Sequence, residues 1–194
     1  MAMVFMERPV RFLNNALFVF AVLMGCSQSL ERRIPSVYIA ATDLSLKQKR
    51  GYLWYRNKHF SGRVYELHPD GDTALLASYV DGKEEGWSQK WYANGKKMEE
   101  RFYVHGKKQG RHTAWWEDGK KRFEYYFLND EHEGQAKEWY NNGQPYRFFH
   151  YTNGQEDGLQ QMWWEDGKTR ANYVVKDGQQ YGLIGRKLCS NEKS

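Results

Sequence analysis

The chain has 194 residues, of which 40% are hydrophobic and 27% charged. This length allows one domain or two small ones, and the composition excludes a disordered or collagen-like protein. The net charge of +5 is spread along the sequence rather than clustered, which argues against a dedicated nucleic-acid-binding protein. The two cysteines are too few for a disulfide scaffold.

Residues 1–25 are predicted to be a signal peptide. Arg8 and Arg11 precede a compact apolar run over residues 16–24. This run suits the core of a signal peptide, but it is shorter than the roughly 20 apolar residues that cross a bilayer. The alternatives are an ordinary cleaved signal without lipid and a short anchor that is not cleaved.

The signal peptide ends in Leu23-Met24-Gly25-Cys26, which resembles the lipobox of bacterial lipoproteins. The resemblance implies that the chain is cut before Cys26 and that Cys26 is acylated. Several acyl chains together give stable membrane attachment. The implied location is the bacterial cell envelope, and Ser27 favours the outer membrane if the source is Gram-negative.

Residues 26–50 are predicted to be a tether, with Pro35 and a basic run at 47–50. A short extra strand is predicted within it, at residues 36–41. Residues 189–194 are predicted to be a tail. If Cys26 is acylated, Cys189 in this tail has no disulfide partner, and we interpret it as a structural thiol.

From Gly62 onward the sequence repeats every 24 residues. Three glycine registers and three aromatic registers keep this period without an insertion, which identifies a repeat protein. The glycines that open the units are Gly62, Gly86, Gly110, Gly134, Gly158 and Gly182. The tryptophan register is Trp91, Trp115, Trp139 and Trp163, followed directly by Tyr92, Trp116, Tyr140 and Trp164.

Two turns per unit predict a meander of β-hairpins. Asp-Gly and Asn-Gly pairs favour two-residue type I′ loops. They occur at 70–71, 94–95, 118–119, 142–143 and 166–167, and a second set of turns occurs at 81–82, 105–106, 153–154 and 177–178. The remaining residues give strands of about six or seven residues, the usual length. We therefore predict an all-β fold, an elongated, twisted, single-layer antiparallel meander built from 24-residue β-hairpin repeats.

The predicted register places each unit-opening glycine opposite an aromatic side chain, which compensates for the missing glycine side chain. Within hairpins the predicted pairs are Gly86 with Tyr103, Gly110 with Phe127 and Gly134 with Tyr151. Between hairpins they are Tyr125 with Gly134, Phe149 with Gly158 and Tyr173 with Gly182. Because side chains alternate along a strand, the tryptophan register lies on one face and the register that follows it on the other.

The pattern Tyr103-x-x-Gly106-x-x-x-Gly110, followed by Trp115-Trp116 and Asp118-Gly119-Lys120, resembles the bacterial variant of the MORN repeat. The resemblance covers residues 51–188, which we predict to be one repeat domain. It implies an elongated, curved, single-layer β-sheet. Some bacterial members carry antitoxin labels, and eukaryotic MORN arrays are scaffolds tied to membranes or partner proteins.

The sequence lacks patterns typical of catalysis. Glu117-Asp118 and Glu165-Asp166 fall in the turn register, so we interpret them as turn residues. The six histidines share no metal-ligand spacing, and HExxH, CxxC and nucleophile-elbow motifs are absent. We therefore predict that the protein is not an enzyme and uses no metal or cofactor.

The segment 129–134 contains the one break in the glycine registers, Asp130. Its acidic residues partly match a calcium-binding loop, but Tyr140 stands where that loop needs a glutamate. We predict a turn whose shape differs from that of the equivalent turns in the other units.

Two surfaces are candidate binding sites. The tryptophan register (Trp91, Trp115, Trp139 and Trp163) would present rings to a protein or a glycan. The alternative is that these rings only pack against each other and stabilise the sheet. A basic rim would attract an anionic membrane surface, or would be a solvated edge that discourages sheet pairing. Its residues are Lys96, Lys97, Lys107, Lys108, Lys120 and Lys121.

We expect a non-catalytic, lipid-anchored envelope protein whose repeat sheet is a protein-binding module, with an antitoxin- or immunity-like role as one form of this function. One alternative is a structural scaffold or spacer at the membrane or cell wall that associates with itself. A weaker alternative is a carbohydrate-binding or carbohydrate-active protein. The expected partner is another envelope protein, and no nucleic-acid partner is expected because the chain is predicted to be exported.

Overall fold

The computed structural model describes residues 33–185, and all regular structure in this range is β-strand. The predicted signal peptide, Cys26, Cys189 and the predicted tail lie outside the described residues. The first nine strands are β1 (Tyr38–Ala40), β2 (Leu46–Lys49), β3 (Tyr52–Tyr55), β4 (Lys58–His59), β5 (Gly62–Leu67), β6 (Thr73–Val80), β7 (Lys83–Trp91), β8 (Lys97–Val104) and β9 (Lys107–Lys108). The others are β10 (Gly110–Trp115), β11 (Lys121–Leu128), β12 (Glu131–His132), β13 (Gly134–Trp139), β14 (Pro145–Thr152), β15 (Gln155–Glu156), β16 (Gly158–Trp163), β17 (Thr169–Lys176) and β18 (Gln179–Leu183).

Fifteen of these strands form one open sheet. Its main path runs β1-β5-β6-β7-β8-β10-β11-β13-β14-β16-β17-β18, and β9, β12 and β15 pair with β8, β11 and β14. All of these pairings are antiparallel except that of β1 with β5, which is parallel. Strands β2, β3 and β4 form a second sheet of three strands. The predicted all-β hairpin meander is confirmed, but the parallel pairing of the first strand and the small sheet were not predicted.

Part of the segment that we predict to be a tether contributes strands to both sheets. β1 lies inside the strand predicted at residues 36–41 and pairs along β5. β2 pairs with β3, whose Leu53 packs with Phe60 and Val64 in a buried cluster. The Leu53 main-chain N–H also donates a hydrogen bond of 2.8 Å to the Gly82 carbonyl oxygen. The small sheet is thereby fixed against the first repeat hairpin.

Five successive hairpins share one register. Each opens on a glycine that faces the strand that closes the hairpin, and the three pairs predicted within hairpins are confirmed. The observed pairs are Gly62 with Tyr79, Gly86 with Tyr103, Gly110 with Phe127, Gly134 with Tyr151, and Gly158 with Val175. The residue opposite four of these five glycines is aromatic, but the ring does not fill the place of the missing side chain: a Cβ added at Gly110 or Gly134 would have no atom within 4 Å, so the predicted compensation is not seen there.

The shorter turn of each unit is a two-residue loop of type I′. Both central residues have positive φ, for example 50° at Asp81 and 78° at Gly82, as this turn requires. Asn129 and Asp130 adopt nearly the same angles, 54° and 79°. The prediction that this turn has a different shape is therefore wrong. Aspartate tolerates the left-handed conformation, and the Asp130 carboxylate also accepts a 2.8 Å hydrogen bond from the Lys108 main-chain N–H.

The longer turn, at the Asp-Gly and Asn-Gly pairs, is not the predicted type I′ loop. Between β7 and β8, φ is positive at Gly95 (76°) but not at Asn94. The Gly95 N–H donates to the Tyr92 carbonyl oxygen at 2.9 Å, and the Asn94 side chain accepts from the Lys96 N–H at 3.0 Å. This is a β-turn followed by a left-handed glycine, which adds residues to the loop and produces a bulge at the end of the hairpin.

The predicted pairs between hairpins are confirmed once and wrong twice. Tyr173 faces Gly182, whereas Tyr125 does not face Gly134 and Phe149 does not face Gly158. The cause is an irregularity at Gly134 and Gly158, where φ is 74° and 73°. Before each of these glycines the strand contains extra residues that leave the ladder, so the register of the whole strand shifts.

Successive side chains alternate between the two faces of the large sheet, and one face holds most of the core. We call it the packed face. Small alanines on one strand face large rings on the next, for example Ala136 opposite Phe149, which fills space without a second layer. The buried residues of this face include Val64, Ala77, Tyr103, Ala114, Phe127, Ala136, Phe149, Ala171, Tyr173 and Val175.

Candidate functional site

The opposite face carries the four predicted tryptophans at the same level of successive hairpins. Each is the last residue of its strand, so we call the set Trp91, Trp115, Trp139 and Trp163 the tryptophan row. Because neighbouring strands are about 4.8 Å apart, the row repeats about every 10 Å across the sheet. Across each hairpin the tryptophan pairs with the first residue of the next strand: Lys97, Lys121, Pro145 or Thr169.

The tryptophan rings are half-buried because other side chains lie between them. The ammonium group of Lys97 is 6.0 Å from the centre of the Trp115 ring. Lys121 has the same relation to Trp139, at 5.9 Å. Phe148 contacts both Trp139 and Trp163 edge-on, with ring centres 5.5 and 5.2 Å apart. The row is therefore a continuous strip of aromatic and cationic groups with one side open to solvent.

Exposed apolar side chains extend this strip on the same face. Trp87, Leu159 and Val174 are 47%, 51% and 43% exposed. They were not predicted as site residues. The period-two alternation of a strand could have found two of them, because Trp87 and Leu159 each stand four residues before a tryptophan of the row. We call the tryptophan row together with these three residues the tryptophan face.

A ladder of hydrogen bonds between repeats fixes the backbone of the tryptophan row. In four units, the residue that directly follows the first long strand extends its side chain towards the next unit. There the side chain forms a hydrogen bond with the main-chain oxygen of that unit's tryptophan. The contacts are His68 Nε2 to Trp91 (3.0 Å), Tyr92 to Trp115 (2.8 Å), Trp116 to Trp139 (3.3 Å) and Tyr140 to Trp163 (3.1 Å). The aromatic residues that directly follow the tryptophan row, such as Tyr92 and Tyr140, therefore fix the spacing of the row between units.

The lysines of the basic rim are engaged mainly with the protein itself. Lys96 Nζ donates to the Asp118 carbonyl oxygen at 2.8 Å, in the turn of the next unit. Lys120 forms an ion pair with Asp118 at 2.8 Å and donates to the Asn141 carbonyl oxygen at 3.4 Å. Lys107 is exposed. Lys96 and Lys120 therefore bind main-chain groups of neighbouring turns, and only the charge of Lys120 is offset by a carboxylate, that of Asp118.

Three further rim lysines contact groups of the sheet. Lys97 forms an ion pair with Glu100, and Lys121 forms the equivalent pair with Glu124 at 2.6 Å. Burial raises the pKa of Glu100, but the hydrogen bonds from Lys97 and Gln89 outweigh burial and hold that pKa below its usual value. The sixth rim lysine, Lys108, places its ammonium group 4.9 Å from the centre of the Phe127 ring. These contacts stabilise the sheet more than they create a free anion-binding surface.

An aromatic groove of about 450 Å³ lies on the packed side of the third and fourth hairpins, and it was not predicted. Trp116, Phe123 and Tyr125 contribute to its wall, and the Phe123 and Tyr125 rings stack at 4.5 Å. Tyr125 donates a hydrogen bond to Glu138, which Arg147 also contacts. Burial, followed by the Glu138 hydrogen bond, raises the pKa of Tyr125. Since the Glu138 carboxylate already has two partners, the groove offers aromatic surface rather than a free acid or base.

Two features are absent from residues 33–185. In this range no cluster of three or more His, Cys, Asp and Glu side chains is placed to hold a metal ion. The same residues include no helix with the length and apolar character needed to cross a membrane. In the comparisons with known proteins, no protein-family model and no curated protein matches the chain.

Proposed function

We propose that this chain is a non-catalytic, lipid-anchored protein of the bacterial cell envelope, and that its tryptophan face binds another envelope protein. An antitoxin- or immunity-like role is one form of this function. The observation that carries the proposal is the contrast between the two faces of one sheet. Fully buried large side chains such as Phe149, which is 7% exposed, lie on the packed face, whereas Trp87 and Leu159 on the tryptophan face are 47% and 51% exposed.

The composition of the tryptophan face suits a protein partner. Tryptophan is enriched among the residues that contribute most to binding energy, and such residues lie in the centre of an interface surrounded by polar groups. On this face the row next to the tryptophans is polar and charged, with Gln89, Glu100, Thr113, Glu124 and Lys137 paired across successive strands. The sheet therefore places an aromatic strip directly beside a row of polar residues, which supports binding of a protein partner.

The location rests on the sequence before the sheet. The lipobox-like segment at Cys26 supports an acyl anchor, and the first strand begins at Tyr38. Residues 27–37 therefore separate the proposed acyl anchor from the first strand in the sequence. The resemblance to bacterial MORN-variant repeats also supports a binding role rather than catalysis.

The experiment is chemical crosslinking in intact cells followed by purification of the full-length chain. We expect one stoichiometric partner, and we expect Trp87→Ser and Leu159→Ser each to weaken its capture at least about 10-fold, which corresponds to ~1.4 kcal/mol. The matched control is Leu44→Ser, because Leu44 is 91% exposed and lies outside the tryptophan face. Equal capture by all three variants, or capture only of further copies of the chain, would contradict the proposal.

A further inference from the structure

The two ends of the large sheet differ. At the first end β1 lies parallel along β5, and the small sheet packs beside it. At the other end β18 pairs on one side with β17, and within residues 33–185 nothing pairs with its outer side. All five residues of β18, Gln179 to Leu183, are exposed. The outer side of β18 is an open edge that can hydrogen-bond to another strand.

The sequence of β18 lacks the features by which proteins normally block an open edge. Lysines, inward-pointing charges and prolines prevent edge-to-edge pairing. The sequence of β18, Gln-Gln-Tyr-Gly-Leu, contains no charge and no proline. Its Tyr181 and Leu183 are 56% and 55% exposed, and Tyr181 pairs with Val174 of the tryptophan face. A second strand placed against β18 would therefore meet no repulsion and would cover apolar surface.

The last unit also departs from a pattern shared by earlier units. At the position of Tyr181, four earlier repeats carry a polar side chain that accepts a hydrogen bond from a main-chain N–H of a neighbouring turn. These contacts join Ser61 to Asp81 (2.8 Å), Glu85 to His105 (2.9 Å), Gln109 to Asn129 (3.0 Å) and Glu133 to Asn153 (2.9 Å). In β18 an exposed tyrosine replaces the polar residue. The last unit thus presents an aromatic group where internal units bind a neighbouring turn.

Trp164 continues the ladder to the same end of the sheet. It occupies the position of His68, Tyr92, Trp116 and Tyr140, each of which contacts the next unit. The next position of the tryptophan register is Lys187 in the sequence, and Trp164 is 50% exposed, with Arg170 4.4 Å from the centre of its ring. The exposed Trp164 side chain is therefore at a position that, in earlier units, contacts the following unit.

We propose that β18 is a dimer interface that pairs antiparallel with β18 of a second copy of this chain. A second copy fits because β18 is uncharged, so two such strands do not repel each other. The contact joins β18 to β18 rather than to the opposite end of the sheet, because the strand at that end, β1, has only three residues to pair with and β18 has five. Centred on Tyr181, the pairing places the two tyrosines side by side and Gln179 opposite Leu183 of the partner. The inference is independent of the proposed envelope partner.

The test is site-specific disulfide crosslinking of the full-length chain in which Cys189 is replaced by serine. Tyr181→Cys places two thiols across the proposed two-fold axis, and we expect mild oxidation to give severalfold more covalent dimer than the control. The control is Trp87→Cys, whose side chain is similarly exposed but lies far along the sheet from β18. Equal yields of dimer from the two variants would overturn the proposal.

A second measurement separates pairing from chance collision. Light scattering of the unmodified chain in detergent is expected to give twice the chain mass after the detergent contribution is subtracted. Leu183→Lys adds a charge to the edge, and we expect it to return the protein to the monomer mass while its circular dichroism spectrum remains that of the folded β-sheet. A monomer at every concentration, or a dimer that Leu183→Lys leaves intact, would overturn the proposal. Either result leaves the proposed binding by the tryptophan face in place.

Discussion

His112 and Gln160 occupy the same position in units two repeats apart, and each side chain faces the main-chain N–H and oxygen of one residue on an adjacent strand. Gln160 Oε1 accepts from the His150 N–H at 3.0 Å, and its Nε2 donates to the His150 oxygen at 2.9 Å. His112 faces the equivalent Phe102 N–H and oxygen with one nitrogen, Nε2, at 3.3 and 2.9 Å. One imidazole nitrogen serves one of these groups at a time, whereas an amide serves both.

His112→Gln is therefore expected to stabilise the fold. Both side chains are almost completely buried, so an unsatisfied main-chain group at this position has a cost. The glutamine would supply one additional hydrogen bond, and we expect the free energy of unfolding to rise by about 1 kcal/mol. Urea unfolding at neutral pH measures this change. His112→Ala is the control and should lower the free energy of unfolding, and a glutamine variant as unstable as the alanine variant would contradict the prediction.

Stability is expected to fall as the pH is lowered below about 6.5, the ordinary histidine pKa. Burial, followed for His132 by the charges of Lys108 and Arg147, lowers the pKa of both His112 and His132 in the fold. The unfolded chain then binds protons at a higher pH than the folded chain. The contribution is complete above the unfolded pKa and is lost as the pH falls towards the folded pKa.

Urea unfolding from pH 8 to pH 5 measures this dependence. His112→Gln is expected to reduce the slope, and the combination with His132→Phe to reduce it further. The phenylalanine is the matched choice because the His132 ring stacks 4.9 Å from Tyr151 and 4.4 Å from Phe127. A slope that neither substitution changes would show that other groups control the pH dependence.

Tyr140→Phe tests the ladder between repeats. The substitution removes only the hydroxyl that donates to the Trp163 oxygen, so we expect a loss of about 0.5–1.5 kcal/mol of unfolding free energy. Tyr92→Phe removes the equivalent bond to Trp115 and should have a similar effect. Tyr126→Phe is the control, because this tyrosine is exposed and lies outside the ladder. Equal stability of all three variants in chemical denaturation would argue against a stabilising ladder.

Acylation of Cys26 is expected to control membrane attachment. Labelling of cells with a palmitate analogue should tag the chain and place it in the membrane fraction. Cys26→Ser should abolish both results, since the implied lipid is attached to that thiol. Cys189→Ser removes the other cysteine and should leave labelling unchanged. Label that persists in Cys26→Ser would contradict the proposed anchor.

The positions of turns and strands were predictable because the period and the Asp-Gly and Asn-Gly pairs are local signals. The turn type was not, because Asn94 and Gly95 suit both a type I′ loop and a β-turn followed by a left-handed glycine, and the choice depends on the length of the flanking strands. The pairing of Tyr125 was also missed. The irregularity at Gly134 leaves no signal that distinguishes it from a glycine in a regular strand.

The tryptophan row was predictable as a column, but its lining was not. Lys97 appears in the sequence as part of a basic pair, and only the register shows that it lies beside Trp115. The aromatic groove combines Trp116 with Phe123, Tyr125 and Glu138 from two hairpins. The groove could not be predicted because it depends on which strands become neighbours. It also depends on the bulge before Phe123, where the pairing register between β10 and β11 shifts by one residue.

The ladder joins side chains to carbonyl groups 23 residues further along the chain, so no repeat depends on a distant part of the sequence. The number of repeats can consequently change without loss of the contacts within and between the remaining repeats. Excising residues 110–133, one whole period, would bring Tyr92 beside Trp139 in place of Trp115 and leave a shorter array of the same kind. Excising half that number would join two turns of unlike geometry. Gene duplication or slippage in whole periods therefore offers such chains a route to longer or shorter arrays without redesign of their packing.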